Sequence, residues 1–397
     1  MPQLSNEPEP QSPVPTAPSS HLAELAIVFL RLGTLAFGGP VAHVAMMDQE
    51  LVERRSWLSR EQLLQQFSLT QLIPGPNSTE LAMQIGYDRA GFKGLIVAGV
   101  AFIVPAMILV WLLAIGYMQT QSLPQVAQIL YGVKPVIVAI VLQAIWKFGQ
   151  KTLTDWTLLG ATALAVLGYG LGWNETGILV AIGLGILGLK MKRSQLLAWV
   201  SIPNLLLPTI PAESHSGVAS NALIPWTQVF GIFFKIGLVL YGSGYVLLAF
   251  LQRELVDRTH WLTAQQLLDA IAIGQLTPGP VLTTATFVGY LLAGHGGAIA
   301  ATVGIFLPGF LLVALLNRWL MPWVQRSEFQ TVLLGVNAAS LGLMIGVTVN
   351  LARTAWVDGW TIALSIVSLG VLLRFKLNSA WLIAIGAAIG WGLKQVG

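Results

Sequence analysis

Long apolar runs recur along the chain from about residue 22 to its end, separated by short clusters of charged, glycine and proline positions. Runs near or above roughly 18 to 20 apolar residues match the thickness of a hydrocarbon core. The pattern predicts spans at 22–47, 95–118, 126–147, 156–172 and 176–190 in the first half, and at 226–250, 297–317, 329–350, 358–373 and 378–394 in the second. Two further runs are interrupted. "LTQLIPGPNSTELAMQIGY" carries Pro74, Gly75 and Pro76 at its centre, and "IGQLTPGPVLTTATFVGY" carries Pro278, Gly279 and Pro280. The apolar pieces beside each break are about a dozen residues long, too short to cross separately. Each makes either one broken span or a re-entrant hairpin.

Composition extends this picture. The 397 residues are 55% hydrophobic and 10% charged, too little charge to solvate a globular surface, so the chain reads as an all-α, polytopic membrane protein. The net charge of +4 comes from Lys and Arg at the ends of apolar runs, where they set topology, and no nucleic-acid partner is expected. Cysteine is absent, which excludes disulfides and thiolate chemistry, and the five histidines lack ligand spacing. No metal, cofactor or catalytic dyad is expected, and the chain does not read as an enzyme. Residues 1–20, rich in Pro, Ser and Glu and free of Lys and Arg, read as a disordered tail.

Shifting the sequence against itself by 204 positions exposes a duplication. "FLRLGTLAFGGP" from Phe29 falls on "FFKIGLVLYGSG" from Phe233, and "QELVERRSWLSREQLL" falls on "RELVDRTHWLTAQQLL", pairing Glu50 with Glu254 and Trp57 with Trp261. The two PGP motifs coincide. After a one-residue deletion Pro105 meets Pro308, and "YGVKP" at Tyr131 meets "LGVNA" at Leu334. The expected organisation is the tail, a first repeat at 21–193, a linker at 194–225 and a second repeat at 226–397.

Loop charges orient the halves. Arg89, Lys93, Lys147, Lys151, Lys190, Lys192 and Arg193 load one set of loops in the first half, whereas in the second the bias moves to Arg318, Arg326, Arg374 and Lys376 in the opposite set. By the positive-inside rule the halves lie upside down relative to each other. Five spans plus one re-entrant PGP hairpin per half give the odd number of crossings that inversion needs, and place both chain ends outside the cytoplasm. A crossing PGP segment would make the units even and parallel, against the charge swap.

Inverted repeats with interrupted helices are a mark of secondary transporters, whose sites lie near the midplane. Backbone groups freed by a break survive at that depth only when buried in protein or lining a wet cavity. A helix restarting after the break presents free N–H groups, which suits an anion. Asn77, Ser78 and Thr79 follow the first break, and Thr283 and Thr284 the second; they either donate hydrogen bonds to an oxyanion or cap a kinked helix. Arg31 and Lys235 are equivalent cations well within the first predicted spans. They either balance a dianion's charge, snorkel to an interface, or pair with Glu24 or Glu80. Lys134 is a third cation, with Asn337 as its counterpart. Gly38 and Gly39, like Gly242 and Gly244, allow an unwound turn or close helix packing. Glu80 is a proton-coupling candidate or a partner of Arg31, and Trp57 and Trp261 anchor the charged loops at the interface.

These paired strings, together with "WLSREQLLQQFSLTQLIPGPNST" and "WLTAQQLLDAIAIGQLTPGPVLTT", resemble the chromate ion transporter family in its long form with two fused domains, from Leu22 onward. The resemblance implies a multi-pass carrier in the cytoplasmic (inner) membrane that exports chromate and gives chromate resistance, with sulfate as the structural analogue. It carries the family's FGG motif onto Phe37, Gly38 and Gly39 and its PGP motif onto Pro74, Gly75 and Pro76, and onto Pro278, Gly279 and Pro280. In the second half FGG departs to Tyr241, Gly242 and Ser243. Sulfate transport, uptake in place of export, and an anion channel remain alternatives, and membrane lipid is the expected surrounding.

Overall fold

The computed structural model describes residues 18–37, 39–190, 224–242, 244–315, 317, 326–375 and 377–396. Among these, every regular element is helical. Four helices are long and apolar enough to cross a membrane, namely Ser78–Thr120, Pro124–Thr152, Val281–Leu315 and Ser327–Ala355. The tail, most of the linker, Gly38, Ser243, Lys192, Arg193, Arg318 and Lys376 lie outside the described residues.

The first half opens with α1 (Pro18–Leu35) and α2 (Gly39–Met47), followed by a π-helical segment, Asp48–Arg54. The predicted span 22–47 is therefore two helices. The apolar run is continuous in sequence, but the helix stops at Leu35, and Gly39 takes a φ of 77° that L side chains rarely adopt. The chain then turns back on itself. Arg55 Nη1 lies 2.7 Å from Glu24 Oε1, Arg31 Nη1 lies 4.0 Å from Glu50 Oε1, and His43 Nε2 lies 3.1 Å from the Ala36 carbonyl. Pairing 24 with 55, 31 with 50 and 36 with 43 is the register of a helical hairpin.

A second hairpin follows. α3 (Arg60–Thr70) starts on a capping box, Ser59 with Gln62, and leads to the PGP turn. The first arm of α4 (Ser78–Thr120) then returns to the starting end, where Arg89 Nη2 meets Glu24 Oε2 at 3.2 Å and Gln66 bonds Asp88. α4 kinks at Ala90 and Gly91, and its second arm runs the length of the molecule. α5 (Pro124–Thr152) returns antiparallel, and α6 (Trp156–Gly170) and α7 (Glu175–Lys190) complete the half, with Lys190 Nζ 2.7 Å from Asp155 Oδ2.

The second half retraces this path. α8 (Trp226–Val239) breaks off where α1 does, and Gly242 has a φ of 90°. The predicted span 226–250 is again interrupted, passing through a 3₁₀ turn into the short α9 (Leu247–Leu251) and a π-helical segment, Gln252–Arg258. Then come α10 (Ala264–Leu276), the second PGP turn, α11 (Thr284–Leu315), α12 (Ser327–Ala355), α13 (Gly359–Arg374) and α14 (Ser379–Val396). Equivalence reaches the backbone angles. Ala90 and Gly91 have φ values of −145° and 60°, and Ala293 and Gly294 have −144° and 61°. Among the described residues each half thus contains two hairpins and four helices after the kink, where the hydropathy pattern predicts five spans and one hairpin; the odd number of crossings expected per half is not met, so the orientation of the halves rests on their packing and not on that count. Glu24 shares an end of the molecule with Arg89, so the start of α1 lies on the Arg89 face and not opposite it as predicted.

α4 and α11 pack antiparallel along the centre, Gly99 against Phe310, Trp111 against His295 and Tyr117 against Phe287. Glycines make the close crossings possible. A Cβ on Gly132 of α5 would enter the backbone of α14 at Gly386 and Gly390, and one on Gly33 of α1 would strike the Phe102 carbonyl of α4.

Candidate functional site

Four helix ends converge where the broken segments of both halves meet. α1 and α8 stop short, which leaves carbonyls without the donor of a further turn. The PGP turn of the opposite half supplies that donor: Gly75 N–H bonds the Leu240 carbonyl and Gly279 N–H bonds the Ala36 carbonyl, both at 2.8 Å. The prolines on either side carry no N–H, so the glycine amide is the donor each motif has to offer. Both PGP motifs are buried. Gly279 has a φ of 91°, and a Cβ there would lie 2.6 Å from the Ala106 Cβ of α4. Gly75 faces the Glu80 carboxyl, which in turn packs against Gly309 of α11.

The first turn of α4 is the more polar of the two. Ser78 Oγ lies 3.0 Å from His43 Nδ1, and His43 Nε2 donates toward the same Ala36 carbonyl that Gly279 reaches. Thr79 Oγ1 and Glu80 Oε2 are buried without a hydrogen-bond partner among the described residues, while Asn77, at a φ of 60°, is half-buried. In the second half Thr283 donates to the Pro280 carbonyl and Thr284 to the Val281 carbonyl, so their hydroxyls close their own turn. Glu80, Gln84 and Asp88 lie at i, i+4 and i+8 on one face of α4, and Gln84 exchanges two 2.8 Å amide hydrogen bonds with Asn317.

Arg31 and Lys235 sit away from the PGP turns. Their side chains are 57% and 45% exposed, and they approach Glu50 at 4.0 Å and Glu254 at 3.8 Å in the equivalent π-helical segments. Among the described residues Arg31 pairs with neither Glu24 nor Glu80; Glu24 is held by Arg55 and Arg89. Gly39 starts α2 with open space on its Cβ side.

Among the described residues Lys134 is the buried cation. Its Nζ lies 2.9 Å from Asp269 Oδ1 of α10, with the two side chains 6% and 4% exposed, and the Tyr117 hydroxyl donates to Asp269 Oδ2 at 2.8 Å. The trio lines a cavity of about 410 Å³ together with Gln121, Tyr131, Thr263, Gln265 and Gln266. The cavity lies among the end of α4, the start of α10 and the end of α12, at the end of the molecule opposite Arg89. At that end Tyr131 donates to Asp358 at 2.6 Å. This bond and the first amides of α13 hold the Asp358 carboxyl below its usual range. Sequence reasoning singled out Lys134 but missed Asp269, Tyr117 and His43.

Apolar helices of membrane length, packed around buried polar groups and non-helical backbone, define a multi-pass membrane protein built like a transporter. The chain matches the family model described as chromate transporter over residues 23–189 and 227–391. It is 32% identical over 384 residues to the chromate transport protein of Cupriavidus metallidurans, covering 95% of this chain and 94% of that one. It is 31% identical over 380 residues to the probable chromate transport protein of Synechococcus elongatus, covering 94% and 96%. An uncharacterized transporter of Bacillus subtilis matches 126 residues at 35% identity, 32% of this chain and 70% of its own. No solved structure matches. The chain belongs to the chromate transporter family.

Proposed function

We propose that this protein is a secondary carrier that exports chromate, a tetrahedral dianion, from the cytoplasm and thereby gives chromate resistance. The observation that carries the reading is the reciprocal pair of bonds, Gly75 to Leu240 and Gly279 to Ala36. It ties the broken centre of each half to the other and leaves backbone polar groups buried where a transporter keeps its site. The halves are inverted and each PGP hairpin is re-entrant. The antiparallel packing of α4 on α11 supports this, as does the loading of the Arg89 face with Lys147, Lys151, Lys190, Arg326 and Arg374. That face is cytoplasmic by the positive-inside rule, which puts the protein in the inner membrane and opens the Lys134 cavity outward.

Lys134 supplies the main countercharge and the first turn of α4 supplies neutral donors, with Ser78 and Thr79 beside the PGP turn. Arg31 and Lys235 neutralise the π-helical carboxylates and bias the path electrostatically. Glu80 is the carboxyl on the inward route, along Gln84 and Asp88. An inside-negative potential favours export by about 2.3 kcal/mol per uncompensated charge per 100 mV.

The test is counterflow of radiolabelled chromate and of sulfate in proteoliposomes with an imposed potential. Saturable chromate exchange that sulfate inhibits supports the carrier. Flux that neither saturates nor shows trans-stimulation points to a channel and overturns it. Inward flux against the potential reverses the direction.

A further inference from the structure

We propose that Asp269 is an internal rival of the transported oxyanion for Lys134, so that the anion occupies the outer cavity only when Asp269 takes up a proton. This rests on the carrier reading and names its coupling group. With the carboxylate ionised, Lys134 and Asp269 Oδ1 form a neutral pair at 2.9 Å, and Tyr117 donates to the other carboxylate oxygen, Oδ2. The 410 Å³ beside the pair holds roughly a dozen waters at about 30 Å³ each, ample for an oxyanion and its partners. Gln121, Gln265 and Gln266 bring amide groups into that space, while the Tyr131 hydroxyl donates to Asp358 and the Thr263 hydroxyl to Gln266, and Lys134 is the one lysine or arginine among the lining residues.

An anion arriving at Lys134 from the cavity meets the largely buried Asp269 carboxylate as a like charge. Such neighbours do not both stay ionised at low cost. A proton from the cavity water adds to a carboxylate oxygen of Asp269, the Lys134 ion pair opens, and the ammonium turns to the anion. Loss of that proton to water returns the carboxylate to Lys134 and expels the anion. No covalent bond changes other than the O–H of Asp269.

The surroundings leave Asp269 as the group that titrates with binding. Facing it are Tyr117 from α4 and Lys134 and Tyr131 from α5. α11 contributes Phe287 against Tyr117, and α12 contributes Thr354 and Ala355, Arg353 lying outside the lining. Residues Ser379–Leu393 of α14 carry no ionisable side chain. In the π-helical segment before α10, Arg253 pairs with Glu175 and Arg258 with Glu254, and Gln252 bonds Asp257. Asp358, bonded to Tyr131, is held below the range in which it would take up a proton near neutrality.

The experiment is calorimetric titration of the full-length protein in detergent with sulfate, and with chromate as second probe, in buffers of different ionisation enthalpy from pH 5.5 to 8.5. One proton is taken up per anion bound, and affinity weakens by up to about tenfold per pH unit as the pH rises. Asp269→Asn, which keeps the shape and accepts from Tyr117, binds at pH 8 at least about tenfold more tightly than wild type. It loses the pH slope and, in vesicles, keeps exchange while net efflux slows. Anion binding to wild type without proton uptake overturns the proposal, as does a wild-type pH slope in Asp269→Asn. If that variant does not elute as a folded species, the proton count on wild type decides alone. Wild type that neither binds nor transports an anion at any pH overturns the carrier reading as well, whereas proton-independent binding with intact flux removes this proposal only.

Discussion

The amide of Gly75 donates to the carbonyl of Leu240 at 2.8 Å, joining the PGP turn of one half to the broken first helix of the other. Gly279 and Ala36 repeat the bond in reverse. Each turn satisfies a helix end that its own half leaves open, so neither broken centre is complete alone.

Gly279→Ala tests this crossing. The new methyl would lie 2.6 Å from the Ala106 Cβ at a backbone φ of 91°, which adds about 1–3 kcal/mol of backbone strain to the overlap. We expect chromate flux in proteoliposomes to fall at least about tenfold, taking roughly 1.4 kcal/mol per decade. Gly116→Ala, in open space on α4, is the control and leaves flux intact.

Lys134→Gln leaves Asp269 buried beside a neutral amide. Breaking a buried pair on one side costs about 3–5 kcal/mol, so the detergent-solubilised protein should melt markedly lower. Adding Asp269→Asn removes the orphaned charge and should recover most of that loss without recovering flux. Thermal unfolding followed by fluorescence separates the two variants.

Arg31 and Glu50 are at the outer limit of an ion pair, 4.0 Å, and Arg31 is largely exposed. Glu50 is also held by Arg54 and Arg55. Arg31→Ala should therefore cost less than about 1 kcal/mol in stability and reduce flux severalfold without abolishing it. Arg31→Lys, which keeps the charge, should retain most of the flux, measured as initial rates of uptake.

His43 joins Ser78 to the Ala36 carbonyl. His43→Leu removes both contacts and leaves the Ser78 hydroxyl buried, a cost of about 1–3 kcal/mol. His43→Gln, with a donor and an acceptor, should melt closer to wild type in the same fluorescence assay.

Asp155 caps α6 and pairs with Lys190, and the Lys190 ammonium, Thr157 and the Leu158 amide hold its carboxyl well below the usual range. A lowered folded pKa gives stability that is present above the unfolded value of about 4 and lost as pH falls toward the folded one. Melting temperature should therefore drop below about pH 4, and Asp155→Asn should flatten that drop.

The sequence displays some of this plan and hides the rest for physical reasons. Duplication is legible because glycines, prolines and charges mark equivalent positions: Gly91 and Gly294 share a φ near 60°. The break after Leu35 is not legible, since "RLGTLAFGGPVAHVAMM" is apolar throughout and hydropathy does not register a change of direction. A continuous apolar run places Arg31 deep in a span; because the helix turns back, Arg31 lies within reach of Glu50. Asp269 escaped notice because its partner is 135 residues away on the other half and its own counterpart, Gln65, is neutral. His43 has no charge pattern to mark it, and only the fold brings it to Ser78.

Lys134 belongs to the first half and Asp269 to the second, and their counterparts are Asn337 and Gln65. Two identical halves set head to tail would present the same chemistry to both sides of the membrane. Divergence at these four positions leaves an ion pair at one place and neutral amide side chains at the equivalent positions, so the molecule acquires a front and a back. From an ancestral unit with Asn and Gln at these positions, one substitution in each copy is enough to give a symmetric carrier a direction.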